Sequence, residues 1–188
     1  QRPVVITQHV GIIPLGRAWL SQLQKTFVCA TARWAAGRGA PITFVGAAVR
    51  QWFLDEAGLR PDQVHMTPAG IDQHTYHFVG DQERAAFRLK WQTAGPGLHV
   101  LFVGRFYDKK GLPLIREVAA ANPSIRFTLV GSGPHDPTIW GLPNVRVIGY
   151  VSTEELRELY GSHDLFLMPS FGEGWPAVVP QAMACGLP

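Results

Sequence analysis

Arg105 and Lys110 stand five positions apart in GRFYDKKG, a loop that follows an apolar run and leads into a helical pattern. A guanidinium can fork onto two phosphate oxygens, and an ammonium adds a mobile point charge. The helix start behind them favours the same anionic ligand. The pair suits a phosphate or diphosphate, although by itself it equally fits an ordinary exposed basic turn. Glu173 sits between two glycines in PSFGEGW, just before another helix start. A carboxylate there can cap the helix by accepting backbone N–H bonds, or accept sugar hydroxyls. Gly131 and Gly133 in VGSGP let the main chain turn tightly and approach a ligand. They lack the third glycine and the later acidic residue of a dinucleotide fingerprint. Tyr150 and Val151 in GYVS offer main-chain groups able to read a planar base, or form a plain strand-to-helix loop. His9 follows the first strand, either as a structural hydrogen bonder or facing a cleft. No Asp-x-Asp or clustered His/Cys set is present, so no metal is expected.

These residues need strand ends to stand on, and the sequence supplies them. PVVIT (3–7), ITFV (42–45) and VHMTP (64–68) read as strands. Between them, 14–36 carries Leu20, Leu23, Phe27 and Trp34 at helical spacing, with Pro14 suiting the first turn and Gly37 the end. AAVRQWFLDEAG reads as a second helix closed by Gly58. Residues 72–96 are polar, hold one short helical pattern (DQERAAFRLKW) and read as a linker. A fresh alternation then begins. LHVLFVG (98–104) is apolar on both faces, as parallel strands covered by helices are. Helix, strand, strand, helix, strand and helix follow, the helix at 153 opened by a capping box of Ser152 and Glu155. The pattern predicts an α/β fold with doubly wound parallel sheets, whose ligands sit beyond the carboxyl ends of the strands.

Composition narrows the class. The chain has 188 residues, 46% hydrophobic, enough for a sizeable core. Residues 1–96 hold 10 Lys/Arg and 6 Asp/Glu, and residues 97–188 hold 7 and 8, so the excess of positive charge lies in the first half. Two distant cysteines, Cys29 and Cys185, argue against a disulfide scaffold and for a reducing compartment. No signal-peptide layout opens the chain, and no apolar run approaches the roughly 20 residues of a membrane span.

The order GRFYDKKG, LVGSGP, VIGYVSTEELRELYGSHDLFLMPSFGEGWPAVVPQAMACGLP resembles the family 4 retaining glycosyltransferases, which have the GT-B fold of two Rossmann-like domains. PVVITQHV and AAVRQWFLDEAGLRPDQVHMTPAGID extend the resemblance over nearly the whole chain. It implies transfer of a hexose from a UDP- or GDP-sugar to a glycan or lipid-linked acceptor, with retention of anomeric configuration. It makes 1–78 the C-terminal part of the acceptor-side domain, 79–96 the interdomain linker and 97–188 the donor domain. In such enzymes the residues matching Arg105 and Lys110 hold the diphosphate, and the GYV loop carries the base. Glu173 contacts the donor sugar and His9 lies near the transferred sugar, as the catalytic pair. The family's acidic motif ends in a second Glu that holds the ribose. Here that register holds Gln181, which keeps a neutral acceptor and weakens the expected bond by about 1 kcal/mol. No cofactor, metal or nucleic acid is implied. The resemblance also implies a cytoplasmic location, with a peripheral contact on the cytoplasmic membrane face where the acceptor is lipid-linked. The family's Gly-rich N-terminal loop and last helices have no counterpart here, so the chain is expected to be a fragment, inactive by itself. Two further readings stay open: an inactive nucleotide-sugar-binding homologue, suggested by Gln181, and an anionic-surface module, suggested by the basic first half and ARWAAGRGA.

Overall fold

The apolar run at the start of the second alternation becomes the best buried strand of the protein. In the computed structural model, which describes residues 5–8, 17–67, 69–171 and 173–188, β4 (His99–Val103) is buried at every position. It pairs in parallel with β5 (Arg126–Val130) on one side and β7 (Leu165–Phe166) on the other, and β6 (Val145–Ile148) extends the sheet beyond β5. Val100 and Phe102 face α4 (Leu112–Ala121), packing with Leu112, Ile115 and Ala119. Leu101 and Val103 face the other way, into a cluster with Leu159 and Tyr160 of α5 (Thr153–Ser162) and Ala182 of α6 (Val178–Ala184). Helices on both faces explain why no residue of β4 is polar-out.

The first alternation builds its own sheet. β1 (Ile6–Gln8), β2 (Ile42–Phe44) and β3 (Val64–Met66) run parallel in that order, with α1 (Ala18–Gly37) and α2 (Ala47–Ala57) as crossovers. Gly58 ends α2 in the left-handed conformation at φ 62°. Of the apolar residues that give α1 its helical period, Leu23, Phe27 and Trp34 are exposed and Leu20 is half-buried. The buried side of α1 is small, made of Cys29, Ala32, Ala35 and Ala36. Small residues let α1 approach Ile42, Phe44 and Phe53 closely. Both cysteines are buried and unbridged.

Compactness divides the chain into 1–70 with 172–176, and 71–171 with 177–188. The stretch 79–96 groups with the second unit. Its helix α3 (Asp81–Trp91) packs on α5 at Gly161, where an added Cβ would lie 2.9 Å from the Phe87 ring. Charge ties this polar helix down. Arg84 and Arg88 both reach Asp164, Lys90 reaches Glu158 at 2.5 Å, and Arg157 reaches Glu83 at 3.0 Å. Asp164 also accepts the His99 N–H at 3.0 Å, so one carboxylate links α3 to the start of β4. The Ser152–Glu155 capping box forms as expected, with bonds of 3.2 and 2.8 Å.

His163, at the end of α5, is fully buried. Burial pushes its pKa down to about 4, against the raising effect of the Leu159 carbonyl. Among the charged groups around it, His99 and Arg146 lower it further, while Asp164 raises it. The folded state thus holds His163 neutral while the unfolded chain takes up a proton near pH 6.5. Stability is full above that pH and falls as pH drops through the window down to about 4. Urea unfolding across this window should show a loss on the order of 3 kcal/mol. His163→Gln should flatten most of that slope, whatever its effect on absolute stability; an unchanged slope would show that His163 is not its source.

Candidate functional site

At the carboxyl ends of β4 and β5 the main chain is pressed together, and glycine is what permits it. Gly131 has φ 145°, and a Cβ there would collide with the Gly104 carbonyl. A Cβ on Gly133 would lie 2.5 Å from the Phe106 carbonyl oxygen. The Phe106 N–H donates to the Ser132 carbonyl at 2.8 Å, and the His135 N–H donates to the Phe106 carbonyl at 3.1 Å. A third loop joins them. The Phe171 N–H donates to the Lys109 carbonyl at 3.0 Å, and Gly111, at φ 77°, abuts Pro169. Loop 104–111 is therefore shaped by main-chain bonds, and its Phe106 side chain is buried in the core.

The loop also carries three cations, Arg105, Lys109 and Lys110, beside one acid, Asp108. Arg105 is exposed, with its guanidinium carbon 5.5 Å from the centre of the Tyr107 ring. Lys110 is half-buried and closes the turn 108–110, its N–H donating to the Tyr107 carbonyl at 2.9 Å. Directly behind stands α4, whose N-cap is Gly111 and whose first turn has no side-chain cap. Its amino-terminal dipole adds to the positive field of the two side chains. The N-terminus of α5 on the same edge is by contrast sealed by its capping box. Asp108 Oδ1 lies 3.2 Å from His135 Nδ1, a contact without a local sequence signal, and the Arg105–Tyr107 stack is likewise a feature of the folded turn.

The other candidates distribute as follows. Tyr150 follows β6 and is 95% exposed, while Val151 packs partly into the core beside α5. Gln181 lies in α6, and its Oε1 accepts a hydrogen bond from the buried Tyr160 hydroxyl at 3.2 Å. A carbonyl oxygen has two lone pairs, so one remains for a ligand. Pro180 falls in the first turn of α6, where a missing N–H breaks no bond. Glu173 is half-buried in 172–176, the segment that groups with the first unit, and its neighbour Gly174 abuts Gly46, the N-cap of α2. The second unit thus brings together Arg105, Lys110, Gly131 and Gly133 at one sheet edge, with Tyr150, Val151 and Gln181 in the same unit. Glu173 belongs to the other unit, and His9 lies outside the described residues. Among the described residues no three His, Cys, Asp or Glu side chains cluster as metal ligands, and no helix is long and apolar enough to cross a membrane.

Residues 97–188 match the family "Glycosyl transferases group 1". The sulfoquinovosyl transferase of Arabidopsis thaliana is 30% identical over 156 residues, which cover 80% of this chain and 30% of that protein. The alpha-galactosylglucosyldiacylglycerol synthase of Streptococcus pneumoniae is 28% identical, over 74% of this chain and 41% of its own. Among solved structures, Anabaena HepE in complex with UDP and glucose aligns with 100% of this chain and 52% of its own, at a TM-score of 0.76 and 23% identity. The chain thus spans well under half the length of these two relatives and about half of that solved protein.

The glycine contacts can be tested directly. Gly131→Ala should destabilise the chain by about 1–3 kcal/mol, because it combines positive φ with a main-chain collision. Gly149→Ala, where an added methyl meets nothing within 4 Å, should be near neutral. Urea midpoints of the two variants decide it; equal midpoints would remove the steric argument.

Proposed function

We propose, from the match of residues 97–188 to the group 1 glycosyl transferases, that the protein transfers a hexose from a UDP- or GDP-sugar to a glycan or lipid-linked acceptor, retaining the anomeric configuration. One observation carries the reading: the exposed Arg105 and the half-buried Lys110 stand on a loop fixed by main-chain packing, in front of a helix whose first turn has no side-chain cap. Breaking the bond between the sugar C1 and the diphosphate leaves its electron pair on the diphosphate. Fixed cations and an oriented helix stabilise that charge where it develops. In this proposal Gly131 and Gly133 let the backbone approach the donor, and main-chain groups at Tyr150 and Val151 bind the base. The remaining lone pair of Gln181 meets the ribose. Glu173 and His9 flank the transferred sugar. The Anabaena complex with UDP and glucose supports a nucleotide-sugar donor.

The acceptor assignment leans towards a lipid-linked one. Trp19, Leu23, Phe27 and Trp34 form an exposed stripe along α1, a helix without a single acidic residue. Arg38 stacks on Trp34 at 4.0 Å, and Arg17 flanks the other end. An apolar stripe with flanking cations suits a headgroup interface.

Calorimetric titration with UDP, GDP and their sugar conjugates tests the donor site. One base should bind saturably, and Arg105→Ala should weaken it about tenfold or more, the worth of a charge-assisted bond. Unchanged affinity in that variant would falsify the assignment of Arg105. For the membrane contact, sedimentation with anionic vesicles should pull the chain down at low salt, and Trp19→Ser with Phe27→Ser should reduce it. Equal recovery with zwitterionic vesicles, or indifference to salt, counts against it.

A further inference from the structure

The opposite edge of the second sheet carries a row of polar side chains that the donor reading does not use. The register sets His99 of β4 beside Arg126 of β5, Leu101 beside Thr128, and Thr128 beside Arg146 of β6. Residues two apart along a strand share a face, so His99, Arg126, Thr128 and Arg146 all stand on one face of the sheet. With Trp91 and Gln92 at the end of α3 they line a cavity of about 260 Å³. No carboxylate lines it. Asp164, the acid bonded to the His99 N–H, lies outside the lining and is engaged by Arg84 and Arg88. Arg146 is held in place by a bond from Nη1 to the Trp91 carbonyl at 2.9 Å.

His99 is the unusual member. It is only 3% exposed, and its buried Nε2 has no hydrogen-bond partner among the described residues. A buried polar nitrogen left unbonded is costly, and two guanidinium groups share its cavity. Burial and the neighbouring charge of Arg126 depress the His99 pKa, against the raising effects of Asp164 and the Gly95 carbonyl. Size limits the ligand, because cavities for drug-sized molecules run from about 300 to 1,000 Å³.

We propose that this cavity is a binding site for a small phosphate-type oxyanion, free or as a monophosphate ester, held by Arg126, Arg146 and His99. Two guanidinium groups donate to the oxygens, and the P–OH of a hydrogen phosphate donates to the His99 Nε2, whose ring carries its proton on the nitrogen bonded to the Gly95 carbonyl. The site lies at the amino ends of β4 and β5, away from loop 104–111, and does not depend on the donor assignment.

Inorganic phosphate is the probe, titrated into the chain at ionic strength held constant with chloride. Thermal midpoint and the His99 ring resonances are the readouts. Phosphate should raise the midpoint saturably and shift the His99 signals. Arg126→Ala, at an exposed position where folding is tolerant, should weaken phosphate about tenfold, and Arg126→Lys less. Arg105→Ala should leave the His99 response intact, so failure of the donor site and failure of this one are told apart. Glucose 6-phosphate and glycerol 3-phosphate run in parallel: tighter binding of either identifies an ester as occupant, and equal or weaker binding identifies the free ion. The proposal is overturned if chloride alone reproduces the response, if Arg126→Ala leaves it unchanged, or if none of the three phosphates elicits it.

Discussion

A strand buried on both faces can do chemistry only at its ends. β4 is such a strand, with one helical layer against Val100 and Phe102 and another against Leu101 and Val103. Its polar surroundings are therefore sorted to the two edges of the sheet. At the carboxyl end the chain leaves through Gly104 into the cationic loop. At the amino end it enters through His99, beside Asp164 and the arginines of α3. Parallel pairing makes the neighbours follow, so β5 contributes Gly131 and Gly133 to one edge and Arg126 to the other. Each edge inherits its character from this central strand.

The amino edge is held by charge more than by apolar packing. α3 buries no residue fully, yet it is fixed through Asp164, Glu158 and Glu83. Half-buried pairs of this kind are individually modest, but several sharing one carboxylate act together. The Thr93 hydroxyl extends the network by donating to the Ser162 carbonyl at 2.8 Å in a buried setting. This network binds 79–96 to the second unit, and it surrounds the neutral His163 with groups that cannot rearrange cheaply.

How much of this could be read from the residues depended on whether the signal was local. The apolar run at 98–103, the capping box at 152–155 and Gly58 as a left-handed helix end all depend on neighbours in sequence, and all formed as expected. The role of 79–96 could not be read, because its partners Glu158 and Asp164 lie some seventy residues away. For α1 the period was legible but the buried side was not: large residues marked the helix, and alanines turned out to face the core. At the candidate site Arg105 and Lys110 stand at a strand end as anticipated. The bond from Tyr160 to Gln181 joins two helices and has no sequence signature.

The geometry of loop 104–111 has one more consequence. Its path is set by bonds between Phe106 and Ser132, His135 and Phe106, and Phe171 and Lys109, all of them main chain to main chain. None of these bonds runs through the side chain at 105, which is exposed. Exchange of that one residue changes what the loop presents to a ligand while the path of the main chain beneath it stays the same, so recognition can diversify there at little risk to the fold.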